Sequence, residues 1–401
     1  MRVLAVGNMY PPQSFGGYEL VWRSAVNHMR ARGHEVRVLT TDLRPLPDRT
    51  DDPDVHRDLR WYWRDHAFPK LRPRALLRLE RGNAAILQRH LSQLRPDVVT
   101  WWSMGGMSLS LVERVRRAGL RAVGFVHDDW LCYGPDVDHW RRSFGGRKGL
   151  VAPLAERLTG LPARFDLEGA ARWVFVSEST RARALACRPG LADTGVAHSG
   201  IDPVFLDAAP THPWNWRLLY VGRIDERKGI DTAVDALTGL PRDASLDIVG
   251  SWDETEEDRL RERARALGLA ERVRFAGQRT REELLAHYAE CDAVVFPVRW
   301  DEPWGLVPLE AMGRGRPVVA TGRGGSGEYL RDGENCLLFE AGDAAGLAHA
   351  LTRLSGDEAL RARLREGGLG TARRYTEPHF NAAVEREVRA AAGVPAEAAL
   401  A

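Results

Sequence analysis

Residues 297–330, PVRWDEPWGLVPLEAMGRGRPVVATGRGGSGEYL, contain the pattern around which the remaining sequence can be interpreted. An apolar strand is followed by an acidic turn, a short helix, a second apolar strand and a glycine-rich loop. Pro-Trp-Gly at 303–305 interrupts the first strand, and the pattern predicts a helix over 306–314. Pro308 is compatible with that helix because amides of the first turn have no helical partner to lose. The stretch therefore predicts a strand–helix–strand unit of an α/β protein.

Two glutamates flank the start of this predicted helix, Glu302 before it and Glu310 more than one turn inside it. A helix start presents unpaired N–H groups and the positive end of the helix dipole, which suit a phosphate. Glu302 can hold neutral hydroxyls, and Glu310 can accept two hydrogen bonds from a ribose diol. A ligand that combines a phosphate, sugar hydroxyls and a ribose is a nucleotide-sugar. Two glutamates at this spacing are also common on helices with solvated carboxylates, and the stretch alone leaves both interpretations open.

The length and composition indicate a globular protein with two domains. A chain of 401 residues is too long for a single core. Its 44% of hydrophobic and 28% of charged residues are ordinary for globular proteins. The net charge of +2 argues against a nucleic-acid-binding protein, because such binding depends on neutralising many phosphates. No nucleic-acid partner is therefore expected.

The four cysteines are far apart and form no C-x-x-C pair, which indicates neither a zinc knuckle nor a disulfide framework. They are Cys132, Cys187, Cys291 and Cys336. We expect buried free thiols in a reducing compartment. The apolar run that ends at Pro11-Pro12 is too short for a signal peptide, and the sequence has no apolar run long enough to span a membrane. We therefore expect a cytoplasmic protein, and peripheral contact with the inner face of the membrane stays open.

The N-terminal half alternates predicted strands and helices. Residues 2–8 form an apolar strand, Gly16-Gly17 precedes a helix over about 18–32, and a second strand follows in a βαβ unit. Residues 44–74 are predicted to be irregular. A helix over about 75–94 has an apolar and a basic face, so it either covers the sheet or lies on a membrane surface. Further strands are predicted at 97–103, 121–128, 173–179 and 194–200.

A second series of predicted strands and helices begins at residue 217. Its strands are 217–223, 246–252, 272–278, 293–299, the second strand of the opening stretch, and 336–343. Two series of six strands predict an α/β protein with two Rossmann-like, doubly wound domains facing a central cleft. The predicted organisation is an N-terminal domain 1–207, a Pro-rich linker 208–216, a C-terminal domain 217–376, and a C-terminal helix 377–401 that ends in a loose tail.

A basic loop follows the first strand of the second series, with the sequence GRIDERKG at 222–229. Arg223 leaves the strand end and Lys228 precedes a helix start, so both can turn toward the Glu302–Glu310 helix. Breaking a sugar–diphosphate bond leaves a group of growing negative charge, which a guanidinium and an ammonium can neutralise. The alternative is a solvated basic turn.

Together these motifs resemble those of the retaining glycosyltransferases of family four, the group 1 glycosyl transferases, which have the GT-B fold. The resemblance rests on the E-x7-E spacing of Glu302 and Glu310 and on the G-R-x-x-x-x-K-G pattern at 222–229. It covers nearly the whole chain, although its specific motifs lie in the second half. It implies that domain 1–207 binds the acceptor, that domain 217–376 binds the nucleotide-sugar, and that the helix 377–401 crosses back to the first domain. It implies transfer of a sugar from a nucleoside-diphosphate sugar to an acceptor hydroxyl, on a glycan, a lipid-linked saccharide or a secondary metabolite, with retention of anomeric configuration.

The resemblance also implies roles for individual residues. Arg223 and Lys228 would stabilise the diphosphate, while Glu302 would hold the sugar hydroxyls and Glu310 the ribose. The amides after residue 304 would contact the sugar or phosphate. We predict His127, Arg223, Lys228 and Glu302 as catalytic residues, and Gly17, Arg223, Lys228, Glu302, Gly305, Leu306 and Glu310 as donor-binding residues.

Two of these predicted residues lie in the N-terminal half. His127 stands at the carboxyl end of the strand 121–128, where open α/β sheets place ligands, and by resemblance it would face the transferred sugar. Gly17 would lie against the donor phosphates and the acceptor. In the glycine-rich loop 324–328, Glu328 is expected to cap a helix.

The resemblance implies a front-face displacement, in which the leaving phosphate oxygen takes the acceptor's proton and no covalent enzyme intermediate forms. We expect no cofactor and no essential metal. Asp136-Val137-Asp138 imitates the D-x-D metal motif of the other major glycosyltransferase fold, but it lies in a Gly/Pro-rich loop. Whether the loop 130–162 binds the acceptor stays open. Two alternative functions remain: a nucleotide-sugar epimerase of the same fold, and a non-catalytic sugar-nucleotide-binding protein.

Overall fold

The computed structural model describes residues 1–12, 16–43, 52–63, 67–144, 146–250 and 254–395. The chain divides into two compact units, which are described separately. The first unit contains Met1–Ala197 and the C-terminal residues from Phe380 on, and the second contains His198–His379. The division after Ala197 lies ten residues before the boundary predicted at 207. The chain returns to the first unit within its last helix.

The first unit is a seven-stranded parallel sheet in the order β3-β2-β1-β4-β5-β6-β7. Its strands are β1 (Arg2–Val6), β2 (Glu35–Thr41), β3 (Val55–Leu59), β4 (Val98–Trp101), β5 (Ala122–Val126), β6 (Arg172–Phe175) and β7 (Thr194–Val196). Its helices up to residue 187 are α1 (Gly17–Ala31), α2 (Pro73–Leu94), α3 (Ser110–Arg117), α4 (Trp130–Val137), α5 (His139–Arg142), α6 (Ala152–Thr159) and α7 (Glu178–Cys187). Strands β1 and β4 are neighbours, and the strand order reverses between them.

Strand β3 corrects the prediction that residues 44–74 are irregular and that this sheet has six strands. Its sequence, VHRDL, has no apolar run, because β3 is the edge strand and only Val55 and Leu59 are buried. Helix α2 covers the sheet with a buried face that includes Leu79, Leu87 and Leu94. This placement supports the interpretation that the predicted helix covers the sheet, rather than lying on a membrane surface.

The predicted loop 130–162 contains three short helices, α4, α5 and α6, in the part that the structure describes. Asp138 is fully buried and accepts hydrogen bonds from the backbone N–H groups of Leu109 and Arg141. Burial, and then the charge of Glu80, raise the pKa of Asp138 to about 7. Asp138 therefore links α5 to the rest of the unit. This structural role explains the second aspartate of the D-x-D sequence without a metal.

The prediction of four free cysteines is wrong for two of them, because Cys132 and Cys187 form a disulfide. They are 55 residues apart in sequence, but α4 follows β5 and α7 follows the neighbouring strand β6, so the two helices pack side by side. Cys291 and Cys336 are buried free thiols, as expected. Spacing alone could not reveal a pairing that depends on the order of the strands.

The second unit is a six-stranded parallel sheet in the order β10-β9-β8-β11-β12-β13. Its strands are β8 (Arg217–Val221), β9 (Ser245–Val249), β10 (Val273–Gly277), β11 (Ala293–Phe296), β12 (Val318–Ala320) and β13 (Leu337–Leu338). The remaining helices are α8 (Ile230–Ala236), α9 (Glu254–Ala266), α10 (Arg281–Glu290), α11 (Leu306–Gly313), α12 (Ala344–Gly356), α13 (Glu358–Ala372) and α14 (Glu377–Ala392). The strand order reverses between β8 and β11, which is where open α/β sheets bind ligands.

Helices on both faces enclose the sheet of the second unit. The apolar cluster around it includes Leu218, Ile248 and Val295 of the strands and Leu351 of α12. Among the described residues, no helix has both the length and the hydropathy that a membrane span requires.

Candidate functional site

The predicted donor residues of the second unit lie on loops after three neighbouring strands. The loop after β8 carries Arg223 and Lys228, the loop after β11 carries Glu302, and the loop after β12 is the glycine-rich segment 321–328. Because parallel strands end at the same edge of the sheet, these loops lie side by side at the point where the strand order reverses. The sheet thus brings together residues that are 74 positions apart in sequence, Lys228 and Glu302.

Glycines allow these loops to pack backbone against backbone. Gly229 has φ +66°, and a Cβ there would come within 2.1 Å of the carbonyl oxygen of Pro297. Gly324 has φ +64°, and a Cβ there would come within 2.5 Å of the carbonyl oxygen of Glu302. The amide of Gly325 donates to that same oxygen at 2.7 Å. The backbone of Glu302 is therefore fixed from the neighbouring loop.

Lys228 and Glu302 form an ion pair, with 2.6 Å between Nζ and Oε2. Lys228 is only 9% exposed, and the indole N–H of Trp300 donates to the same carboxylate oxygen at 2.9 Å. The Lys228 ammonium also lies 5.6 Å from the centre of the Trp300 ring. Removing one partner of such a pair leaves an uncompensated charge in a poorly hydrated place. Both charges are thus held in position before any ligand arrives.

Arg223 follows β8 and is partly buried. Its carbonyl oxygen accepts a hydrogen bond of 2.7 Å from the hydroxyl of Tyr220. Burial raises the pKa of Tyr220 well above its usual value, the charge of Glu302 raises it further, and the charge of Arg223 lowers it. The charges of Arg223 and Glu302 therefore both affect one buried phenol.

Helix α11 begins at the acidic loop. Gly305, which precedes it, has φ +87°, and its carbonyl oxygen accepts a hydrogen bond from the Tyr329 hydroxyl. No side chain among the described residues caps this helix start, and Leu306 is its first residue. The first-turn amides can therefore serve an anion or a hydroxyl. Burial raises the pKa of Tyr329 well above its usual value, and the charges of Glu302 and Glu310 contribute in the same direction.

Glu310 lies in the second turn of α11 and is partly buried. The Tyr288 hydroxyl donates to its Oε2 at 2.8 Å. Burial raises the pKa of Glu310, while the Tyr288 hydrogen bond and the charge of Arg281 lower it. Tyr288 of α10 therefore orients Glu310, although α10 lies outside the E-x7-E segment.

An aromatic cluster next to α11 was missed by the sequence interpretation. His198 stacks on Trp304 with 4.4 Å between the ring centres, and Trp304 donates to the carbonyl oxygen of Ser199 at 2.8 Å. Glu328 lies 3.2 Å from His198 Nε2. Glu328 was expected to cap a helix, and this expectation is wrong because the segment 324–328 is a 3-10 turn that ends at Glu328. Only the position of His198 just after β7 could have drawn attention to it.

The first unit contains the two other predicted residues. His127 follows β5 and packs 5.2 Å from Tyr18 and 5.9 Å from Trp102, measured between ring centres. Burial lowers the pKa of His127 to about 4, so its imidazole is neutral at neutral pH. Gly17 is the exposed first residue of α1. His127 and Gly17 lie on segments near the strand reversal between β1 and β4. The neighbours of His127 are aromatic.

Comparison with known proteins shows the family. The group 1 glycosyl transferase family matches residues 212–369, and glycosyltransferase family 4 matches residues 15–205. Glycogen synthase of Mycobacterium tuberculosis is 37% identical over 394 residues, which cover 90% of this chain and 88% of that protein. A phosphatidyl-myo-inositol mannosyltransferase of Mycobacterium leprae is 35% identical over 236 residues, with 57% of this chain and 58% of that protein covered.

Solved structures agree on the fold. The sucrose-phosphate synthase of Thermosynechococcus elongatus aligns with a TM-score of 0.72 at 20% identity, with 97% of this chain and 99% of that one covered. Anabaena HepE, in complex with UDP and glucose, aligns with a TM-score of 0.69 at 19% identity, with 96% and 98% covered. The two parallel sheets, the two motifs and these relatives lead to one conclusion: the chain belongs to the group 1 glycosyl transferases and is a glycosyltransferase of the GT-B fold.

Proposed function

We propose that this glycosyltransferase moves a hexosyl group from a nucleoside-diphosphate sugar to an acceptor hydroxyl, with retention of anomeric configuration and without a metal in the transfer step. The observation that carries the proposal is the buried Lys228–Glu302 pair, formed between the loop that also carries Arg223 and the loop that leads into α11. Family membership sets aside the epimerase and the non-catalytic alternatives.

The ammonium of Lys228 serves two partners in this proposal. An ammonium has three donors, so Lys228 can keep its bond to Glu302 while it donates to a phosphate oxygen. Arg223 supplies a second, planar cation to the same diphosphate. As the bond between C1 and the phosphate oxygen breaks, negative charge grows on the diphosphate, and these fixed cations stabilise it without reorganisation.

Transfer then proceeds on one face of the sugar. The acceptor oxygen forms a bond to C1 while the bond from C1 to the phosphate oxygen breaks. The acceptor's proton passes to the leaving phosphate oxygen. No protein nucleophile is needed, and His127, neutral because its pKa is about 4, contributes by contact with the sugar rather than by proton transfer.

The relatives support a glucosyl donor. HepE is crystallised with UDP-glucose, and glycogen synthase aligns over 90% of the chain. We propose UDP-glucose or ADP-glucose as donor and a saccharide hydroxyl as acceptor. Glu310 holds the ribose and Glu302 the sugar hydroxyls.

Melting temperatures with UDP, ADP, GDP and TDP test donor binding, because a ligand at a hundred times its Kd stabilises the folded state by about 2.7 kcal/mol. The nucleotide that raises Tm identifies the donor base. Transfer to maltooligosaccharides and to lipid-linked saccharides, with and without EDTA, then identifies the acceptor, and the anomeric NMR signal of the first product gives the stereochemistry. An inverted product, or transfer abolished by EDTA and restored by Mg²⁺, would contradict the proposal.

We also propose weak contact with an anionic membrane, through a surface on the first unit. Leu150, Val151, Leu154 and Leu158 are 88%, 52%, 58% and 72% exposed. Leu154 and Leu158 are four residues apart on α6, so they share one side of that helix. The sequence 139–164 around them contains six Lys or Arg and one Glu. Exposed apolar side chains with surrounding positive charge suit an interface with acidic lipids.

Vesicle sedimentation tests this contact. The chain should sediment with phosphatidylserine-containing vesicles and not with purely phosphatidylcholine vesicles, and the double variant Leu154→Ser/Leu158→Ser should lose most of this binding. Leu267→Ser, which changes an exposed leucine of the second unit, is the control. Equal sedimentation of the double variant and the control would remove this surface from the proposal.

A further inference from the structure

A cluster of metal-binding side chains lies in the first unit, outside the predicted donor and acceptor residues. His56 and Asp58 are two positions apart on β3, so their side chains leave the strand on the same face. His90 of α2 packs against that face and is 1% exposed. One ligand atom from each of the three residues lies within 4.8 Å of the other two.

The side chains of this cluster contact one another directly. His90 Nε2 lies 3.1 Å from Asp58 Oδ2, and the rings of His56 and His90 meet edge to face with 4.7 Å between their centres. The Nδ1 atom of His90 is buried and has no hydrogen-bond partner among the described residues. A buried polar atom without a partner costs free energy unless something satisfies it.

We propose that His56, Asp58 and His90 bind a divalent cation of the zinc type, with three protein ligands and one position open to water. Two imidazoles and one carboxylate are a known donor set for Zn²⁺, which binds nitrogen at about 2.0–2.1 Å and carboxylate oxygen at about 2.0–2.2 Å. The ligand atoms now lie within 4.8 Å of one another and must move closer together to surround such an ion. The ion ties the edge strand β3 to α2.

The position of the cluster favours this site, while two neighbouring cations oppose it. An edge strand gives an ion access from solvent. Arg89 pairs with Asp58 through Oδ2 and must release that oxygen, and the positive charge of Arg37 is close enough to affect both histidines. These cations lower the affinity but leave the ligand set intact.

Sequence spacing could not reveal the cluster, because His90 is 32 residues from Asp58. The inference concerns the first unit only and does not depend on the proposed transfer reaction. The predicted ion supports β3 and takes no part in sugar transfer. Removing it should therefore loosen β3 without abolishing activity.

Titration of tag-free, chelator-stripped protein with Zn²⁺ and Co²⁺ tests the proposal. We expect one ion per chain, visible absorption typical of tetrahedral Co²⁺, and slower amide hydrogen exchange in β3 when Zn²⁺ is present. His56→Ala should weaken Zn²⁺ binding about a hundredfold, the upper end of the loss seen when the partners of metal ligands are removed. Asp58→Asn should also abolish the tetrahedral spectrum.

His349→Ala is the matched control, because it removes an exposed histidine from the second unit and leaves the cluster intact. It should bind like the unchanged protein. Circular dichroism of each variant without metal shows that the fold is retained. If the unchanged protein takes up no ion, or if His56→Ala and His349→Ala bind Zn²⁺ with equal affinity, the proposal is wrong; a misfolded His56→Ala leaves the decision to Asp58→Asn and to the unchanged protein.

Discussion

The two units have the same parallel architecture but place different chemistry beside their strand reversals. In the second unit, Lys228 and Glu302 meet as a buried ion pair. In the first unit, the corresponding positions carry stacked rings: Trp22 and Trp102 lie 5.5 Å apart, and His127 packs on Trp102. One edge carries a pair of opposite charges, and the other is backed by buried aromatic rings.

The difference shows that the sheet decides where a ligand binds, while the loops decide what binds. In our proposal a diphosphate is held by fixed cations, which the loop after β8 supplies, while the loop after β11 supplies the carboxylate of Glu302. Trp22 and Trp102 are fully buried, so these rings pack the interior of the first unit, and the neutral imidazole of His127 adds no charge there. Variants that each remove one element of this contrast can test it.

The largest expected effect comes from the cations of the second unit. Arg223→Ala and Lys228→Ala should each lower kcat by about 10²–10³, as the loss of a donor to a developing anion does. Arg227→Ala is the comparison, because this exposed side chain of the same loop pairs with Asp225 and lies 4.7 Å from the centre of the Trp300 ring, rather than bonding to Glu302. Steady-state kinetics with the identified donor measure the effect. Similar rates for all three variants would show that the loop contributes only general positive charge.

The second prediction concerns the backbone contact that supports those cations. Gly229→Ala should lower the free energy of unfolding of the second unit by about 2–5 kcal/mol, from the left-handed conformation and the clash with Pro297 together. Gly333→Ala, at φ +71° with open space around it, should cost only about 1–2 kcal/mol. Hydrogen exchange of second-unit amides compares them. Equal losses would mean that the loops do not pack as closely as described.

Glu310→Gln should have a smaller effect. The amide oxygen can still accept the Tyr288 hydrogen bond, but the variant loses the charge that favours a ribose diol. We expect KM for the donor to rise about tenfold, or 1.4 kcal/mol, with a smaller change in kcat. Tyr288→Phe, which removes only the orienting hydroxyl, should give a weaker shift in the same direction. A large loss of kcat with unchanged KM would assign Glu310 to the chemical step.

The last prediction is a pH dependence of stability that belongs to the first unit and vanishes at neutral pH. The pKa of His127 is about 4 when folded and 6.5 ordinarily, so between these values the unfolded chain binds more protons. The contribution of His127 to stability is therefore complete above pH 6.5 and declines as the pH falls toward 4. His127→Gln should flatten this part of the stability profile, whereas His349→Gln should not. An NMR titration of His127 near 6.5 would contradict the expectation.

Much of the second unit could be predicted from sequence, because its strands are continuous apolar runs that end in glycine or charged loops. The six strands from β8 to β13 are confirmed, and so is the helix that begins at Leu306. The Lys228–Glu302 contact could be predicted from strand order, because the two residues stand on the loops that follow neighbouring strands. The roles proposed for these residues remain predictions.

The first unit was predicted less completely, for two physical reasons. An edge strand such as β3 buries few side chains, so its sequence carries no strong pattern. Contacts between helices, such as the Cys132–Cys187 disulfide, depend on how strands are ordered rather than on spacing. The aromatic contacts of His198 were missed in the second unit for the same reason, because its partner Trp304 belongs to a distant loop.

A crystal structure with the bound nucleoside diphosphate tests the central claim most directly. The account predicts phosphate oxygens about 3 Å from Lys228 Nζ and from the Arg223 guanidinium, with the ribose on Glu310 and the Lys228–Glu302 contact retained. Density for the diphosphate elsewhere, with none of these three side chains touching it, would contradict the account.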